Sequence, residues 1–125
     1  MIVYMTHYTR QDLRANPDVV YVFGDNVAGK GLGGQAAAAR GEPNAFGIFT
    51  KQSPSEYFSD ADFQNVLPVL NYQFDLLRQM LAAGKIVVWP YSGIGTGLAD
   101  LSRKSPLIWR ALNDLCASLT ITNGH

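Results

Sequence analysis

The sequence has few of the residues on which metal sites and disulfides depend. Its 125 residues include a single cysteine, Cys116, and two histidines that lie far apart in the sequence. One cysteine cannot form a disulfide within the chain, and a zinc site needs a cluster of such ligands. We therefore expect neither a bound metal nor another cofactor.

Charged residues are also scarce, and neither sign is in excess. Only 16% of the residues are charged, and ten basic residues balance ten acidic ones, so the formal net charge is zero. Binding along a nucleic-acid backbone depends on a basic electrostatic field, which this composition does not provide. The sequence therefore argues against bulk nucleic-acid binding.

Long apolar segments are missing as well. No run approaches the roughly 20 apolar residues of a membrane-spanning helix, and the first residues do not resemble a signal peptide. The apolar fraction of 47% and the aromatic fraction of 11% are ordinary for a chain that buries a core. We expect one domain over residues 1–125, located in the cytoplasm and without a membrane partner.

Strand-like and helix-like segments alternate along the chain, which is typical of an α/β fold. Short apolar and β-branched runs predict strands at residues 2–5, 19–23, 46–50 and 86–89. Two of these runs, at residues 19–23 and 86–89, are continuously apolar, which indicates strands buried on both faces of a parallel sheet.

Three segments between these strands, or after them, have helical features. Residues 35–40 are rich in alanine and predict a helix that follows a glycine-rich loop. Apolar residues recur at helical spacing over residues 63–81, where Pro68 is expected to kink the helix or divide it in two. Ser105 and Pro106 predict the start of a last helix, after a long loop over residues 90–104.

Two glycine-rich loops carry the functional signal, since each follows a buried strand. Loop one is residues 24–34 (GDNVAGKGLGG), and loop two is residues 91–98 (YSGIGTGL). Ligands of open α/β sheets bind outside the carboxyl ends of the strands, so both loops are expected at one mouth. Backbone without side chains lets N–H groups approach an anion, and a helix N-terminus adds positive charge. Two such loops predict a diphosphate site, unless the glycines only form tight turns.

Two common phosphate-binding motifs fit loop one only in part. Residues 24–30 match the first part of a P-loop, but Gly31 stands where Ser or Thr must hold magnesium. Residues 29–34 match the dinucleotide-binding pattern, but the acid expected about 20 residues later would be Glu56, in a polar loop. A small P-loop or dinucleotide-binding domain remains an alternative.

The order and spacing of the two loops resemble those of the macro domain, a three-layer α/β/α module that binds ADP-ribose. The resemblance is carried by residues 22–26 (VFGDN) with 31–36 (GLGGQA), and by residues 87–90 (VVWP) with 94–98 (IGTGL). It extends over about residues 19–119, and it implies a three-layer domain with a mixed, mostly parallel central sheet.

The resemblance also implies which residues bind the ligand. Backbone amides of both loops would hold the two phosphates, and Asn26 would bind the distal ribose, unless it only closes a turn. The ligand-binding residues expected are Asn26, Gly31, Gly33, Gly34, Gln35, Ser92, Gly93, Ile94, Gly95, Thr96, Gly97 and Leu98.

Three further residues are catalytic candidates. Within the family the chain is most similar to the branch of the terminal ADP-ribose protein glycohydrolase, which pairs a lysine with an aspartate. Here Arg40 and Asp100 stand near those positions, and a guanidinium cannot lose its proton to act as a nucleophile. Asp100 would activate a water and Asp25 would act as a base or ribose acceptor, unless these carboxylates are idle or cap a loop.

Several functions are consistent with these residues. The leading hypothesis is a domain that binds ADP-ribose or a nucleotide derived from it, either as a binder or as a hydrolase that removes ADP-ribose from modified targets. Its partners would be that nucleotide and, for a hydrolase, an ADP-ribosylated macromolecule. The alternatives are a non-catalytic protein that sequesters an ADP-ribose-type signalling nucleotide, and an enzyme that acts on free small nucleotides.

Overall fold

The computed structural model describes residues 1–123, and a five-stranded sheet forms its centre. The strands, in chain order, are β1 (Ile2–Met5), β2 (Val20–Asn26), β3 (Ala45–Ser53), β4 (Glu56–Tyr57) and β5 (Val87–Pro90). They lie in the order β1-β5-β2-β3-β4, and every neighbouring pair is parallel except β3 and β4. The mixed, mostly parallel sheet is therefore confirmed.

Helices cover both faces of this sheet. They are α1 (Arg10–Ala15), α2 (Ala36–Ala39), α3 (Phe63–Ala82), α4 (Leu101–Lys104) and α5 (Pro106–Ser118). α5 begins as predicted, because the Ser105 side chain accepts a hydrogen bond from the Ile108 N–H and Pro106 occupies the first turn. Along β2, Val22 packs with α3 and α5, whereas Tyr21 and Phe23 pack with α1 and α2. The result is a three-layer α/β/α arrangement.

The long helix α3 differs from its prediction at Pro68. It runs unbroken from Phe63 to Ala82, so a division at the proline is wrong, whereas the alternative, a kink, stays a prediction. Proline cannot donate to the carbonyl four residues earlier, here that of Gln64. Because both Pro68 and Gln64 are exposed, water can satisfy that carbonyl and the helix continues. No helix within residues 1–123 combines the length and the apolarity that crossing a membrane requires.

Four short elements of the described residues were not predicted. The expected loop over residues 90–104 contains a 3-10 turn at Gly97–Ala99 and the helix α4. α1 has six residues and buries only Leu13, so it produces no helical periodicity in the sequence. β4 has two residues and pairs with β3 across a tight turn, which gives no alternating pattern to detect.

Candidate functional site

Loops one and two line a single cleft at one edge of the sheet. β2 and β5 are adjacent and parallel, and β2 extends through the first three residues of loop one, to Asn26. Loop one and loop two therefore lie at the same edge of the sheet. The cleft has a volume of about 330 Å³, and all the predicted ligand-binding residues line it, together with Asp25 and Arg40. The structure thus brings together the two loops that the sequence predicts at one mouth.

Asp100 lies apart from the other two catalytic candidates. It lines a second depression, which shares part of loop two with the cleft and extends to Trp109. Its backbone is left-handed (φ 46°), and its carboxylate lies 3.2 Å from Nη1 of Arg103. Asp100 is therefore not among the residues that line the cleft, and the structure does not place it beside Asp25 and Arg40.

The Arg40 side chain is bonded within loop one. Its Nη2 donates to Oδ1 of Asp25 at 2.6 Å, and its Nε donates to the carbonyl oxygen of Gly31 at 2.7 Å. A further, longer bond reaches the carbonyl of Lys30, and the guanidinium lies 5.7 Å from the centre of the Phe23 ring. The guanidinium is planar and charged and donates to several acceptors at once, so it fixes the positions of these acceptors relative to one another. Arg40 thus holds the backbone of loop one in place.

Asn26 closes loop one upon itself. Its Nδ2 donates to the Lys30 carbonyl at 2.6 Å, and its Oδ1 accepts the Lys30 N–H at 3.3 Å. The Asn26 N–H in turn donates to Oδ1 of Asp25 at 2.7 Å. Asparagine is favoured in turns for this kind of side chain–backbone bond. Asn26 thus closes a turn, and its binding to a ribose stays a prediction.

Gln35 ties the end of loop one to the segment that follows β1. Its Oε1 accepts the Tyr8 N–H at 3.1 Å, and its Nε2 lies 3.2 Å from Nδ1 of His7. Tyr8 is itself fully buried, and its hydroxyl donates to the Val22 carbonyl at 2.6 Å. Tyr8 is therefore bonded both to Val22, before loop one, and to Gln35, directly after it.

Two runs of backbone N–H groups along the cleft have no partner within residues 1–123. These are the N–H groups of residues 31–35 in and after loop one, and of residues 95–98 in loop two. Gly31, Gly34, Gly95 and Gly97 have positive φ angles of 93°, 59°, 77° and 55°. Such turns form concave sites that bind anions through successive N–H groups. Since α2 has only four residues, these peptide groups, and not a helix dipole, provide the donors.

The charged residues at the cleft are mostly basic. Lys30, Lys51 and Arg40 line it, and Asp25, which is paired with Arg40, is the acid. The Lys51 Nζ donates to the carbonyl of Pro54 at 2.7 Å and lies 4.7 Å from the centre of the Tyr57 ring. A chain of zero net charge thus concentrates positive charge at this cleft, which favours an anionic ligand.

Gly47 supports the site and was missed by the sequence analysis. It lies in β3 beside Asp25, and a Cβ built on it would stand 2.8 Å from Oδ2 of that residue. A glycine inside a strand often marks such a close approach, and that signal was present in the sequence. Thr6, Thr50 and Lys51 also line the cleft, but no motif distinguishes them.

We expect a Gly47→Ala variant to lose about 1–3 kcal/mol of stability, because the added methyl group must push the Asp25 carboxylate away from its place beside Arg40. Chemical denaturation measures the loss. Gly24→Ala, in the neighbouring strand β2, is the matched control, since its nearest atom would be Oγ1 of Thr50 at an ordinary 3.5 Å. Equal stability of the two variants would contradict this account of Gly47.

The structure gives Cys116 a packing role. It lies on the buried side of α5, and burial raises the pKa of its thiol to about 12. The thiol is therefore protonated at neutral pH, and a protonated thiol is a poor nucleophile. Within residues 1–123, no three or more histidine, cysteine or acidic side chains are grouped so that they could hold a metal ion.

Comparison with known protein families gives a match for this chain. It is to a family of unknown function, DUF7831, over residues 3–115. No curated protein and no solved structure matches the chain. Since the match spans most of the 125 residues, the chain belongs to the DUF7831 family of unknown function.

Proposed function

We propose that the cleft binds ADP-ribose, or a nucleotide derived from it, with the diphosphate held by loops one and two. The observation that carries this proposal is the pair of unpartnered N–H runs, residues 31–35 and 95–98, which line one cleft except at Leu32. A peptide N–H is a strong hydrogen-bond donor, and phosphate oxygens accept from a run of such groups without any side chain.

Two separate donor runs fit two phosphates better than one. A single phosphate could be bound by either run alone, whereas a diphosphate can bridge loop one and loop two. Lys30 and Lys51 add long-range attraction for such an anion. The volume of about 330 Å³ lies at the lower end of the range for small-molecule sites, so part of a dinucleotide-sized ligand would extend beyond the cleft.

The choice of ADP-ribose among diphosphate nucleotides depends on the resemblance of both loops to those of the macro domain. The P-loop alternative has less support. Its lysine, Lys30, is followed by Gly31, which offers no hydroxyl for magnesium, and the Gly31 carbonyl is bonded to Arg40.

We propose binding without turnover as the activity, and with it a role in sequestering or recognising the nucleotide. Asp25 and Arg40 are bonded to each other at 2.6 Å, and Asp100 lies at the second depression. Within the described residues that line the cleft, no second carboxylate stands beside Asp25 to activate a water. We also propose a cytoplasmic location, with which the free, buried thiol of Cys116 agrees.

Calorimetric titration with ADP-ribose, AMP and NAD tests the proposal. We expect saturable binding of ADP-ribose and much weaker binding of AMP, because AMP has one phosphate and can engage only one loop. NAD keeps the diphosphate but carries nicotinamide on the distal ribose, so it tests whether that ribose must be free. Heat from none of the three ligands, or equal affinity for AMP and ADP-ribose, would overturn the diphosphate site.

Product analysis of the same samples then distinguishes a binder from an enzyme. We expect ADP-ribose and NAD to be recovered intact after prolonged incubation with the protein. Release of free nicotinamide, or breakdown of an ADP-ribosylated peptide supplied as a further substrate, would show a hydrolase instead. In that case Asp25 is the carboxylate to substitute first, because it is the acid that lines the cleft.

A further inference from the structure

The chain turns back toward loop two after α5. Thr120 reverses it in a left-handed conformation (φ 58°), which β-branched residues rarely adopt. Ile121 then returns to the core and is 4% exposed, and the Thr122 N–H donates to the Tyr4 hydroxyl at 2.7 Å. Residues 121–123 are thus anchored against the body of the domain at two successive positions.

Asn123 lies at the end of this anchored segment, and its side chain bonds to the backbone of loop two. Its Nδ2 donates to the carbonyl oxygen of Ile94 at 2.8 Å, and its Oδ1 accepts the Ile94 N–H at 2.6 Å. Ile94 is only 2% exposed, so little water can replace these bonds. One side chain therefore satisfies both backbone groups of a residue that would otherwise be buried without partners.

Ile94 stands directly before the N–H run of residues 95–98. The flanking residues Gly93 and Gly95 have positive φ angles of 84° and 77°, and glycine backbone reaches many other conformations at little cost. A fixed point at Ile94 determines in which direction the following N–H groups are presented. Without this fixed point, the ligand would have to order the loop when it binds, and the entropy lost in doing so would lower the affinity.

We propose that Asn123 is a positioning residue, which sets the conformation of loop two and thereby the affinity of the cleft for a diphosphate nucleotide. The affinity part depends on the function proposed above, whereas the conformational part does not. Asn123 lies 29 residues from Ile94 in the sequence, so this role requires the C-terminal segment.

Amide hydrogen exchange of Asn123→Ala tests the conformational part without any ligand. We expect exchange at Ile94 to become about tenfold faster, with a smaller increase over residues 95–98, because the bond that protects Ile94 is lost. Amides of the core strand β2 serve as an internal reference and should not change. Asn123→Gln, which keeps the amide on a longer side chain, is expected to restore most of the protection.

Asn113→Ala is the matched control. Asn113 is also half-buried, and its Nδ2 donates to a carbonyl, that of Trp109, at 2.8 Å within α5. It touches neither loop through a hydrogen bond, so we expect its exchange pattern over residues 93–98 to equal that of the wild type. Calorimetry of the same variants is expected to show ADP-ribose affinity about tenfold weaker for Asn123→Ala and unchanged for Asn113→Ala.

The outcomes separate the two proposals. Unchanged exchange at Ile94 in Asn123→Ala would overturn the role of Asn123, whatever the ligand data show. Faster exchange with unchanged ADP-ribose affinity would overturn its effect on binding. If the wild-type protein binds no nucleotide, the proposed function fails, together with the affinity part of this inference, and the exchange data alone decide whether Asn123 holds loop two.

Discussion

A Gly34→Glu variant is expected to fold and to bind ADP-ribose at least about 100-fold more weakly than the wild type. Gly34 lines the cleft within the N–H run of loop one, and no atom stands within 4 Å of a Cβ built on it. A glutamate therefore has room. Its carboxylate would repel the phosphates and would accept hydrogen bonds from the N–H groups of loop one that otherwise bind them. Calorimetric titration measures the loss of affinity.

Gly84→Glu is the matched control for this experiment. Gly84 also has a positive φ (84°) and open space around its Cβ position, but it lies after α3 and is not among the residues of the cleft. Both substitutions place an L-residue in left-handed backbone, at a cost of about 1–2 kcal/mol, and both add one negative charge. Equal affinity of the two folded variants would show that ADP-ribose does not bind between the loops.

The position of the cleft could be predicted because it depends on simple patterns. β2 begins with the apolar run at residues 20–23, β5 is the apolar run at residues 87–90, and glycines follow each run. Runs of this kind are typical of parallel strands that are buried on both faces. The carboxyl ends of parallel strands lie at the same edge of a sheet, so the two loops that follow them were expected to lie close together. The patterns needed for this conclusion are local, and each lies within about a dozen residues.

The bonds inside the cleft could not be predicted, because they join residues far apart in the sequence. Arg40 reaches Asp25 across 15 residues, and Asn123 reaches Ile94 across 29. No periodicity encodes a single side chain that bonds to a loop backbone. For Asp100 the resemblance to the macro domain implied a place at the site. The structure instead has a 3-10 turn at Gly97–Ala99 followed by the left-handed backbone of Asp100, and Asp100 lines the second depression.

Arg40→Ala is expected to cost about 2–3 kcal/mol of stability and to weaken ADP-ribose binding as well. The side chains of Arg40 and Asp25 are only 20% and 14% exposed, so the substitution leaves a mostly buried carboxylate without its counter-charge. It also removes the hydrogen bond by which Nε of Arg40 holds the Gly31 carbonyl of loop one. Arg78→Ala is the control, since its pair with Asp75 is exposed and should contribute less than about 1 kcal/mol.

Two further variants test whether Arg40 acts through the loop or on the ligand. Arg40→Lys keeps the charge beside Asp25, but a single ammonium lacks the planar fork that also holds the Gly31 carbonyl, so stability should recover more than affinity. Combining Arg40→Ala with Asp25→Asn should cost less than the sum of the two single losses, because the unpaired charge is gone. If Arg40→Ala abolished binding with no loss of stability, the guanidinium would contact the nucleotide directly, and the role assigned to its bonds within loop one would be wrong.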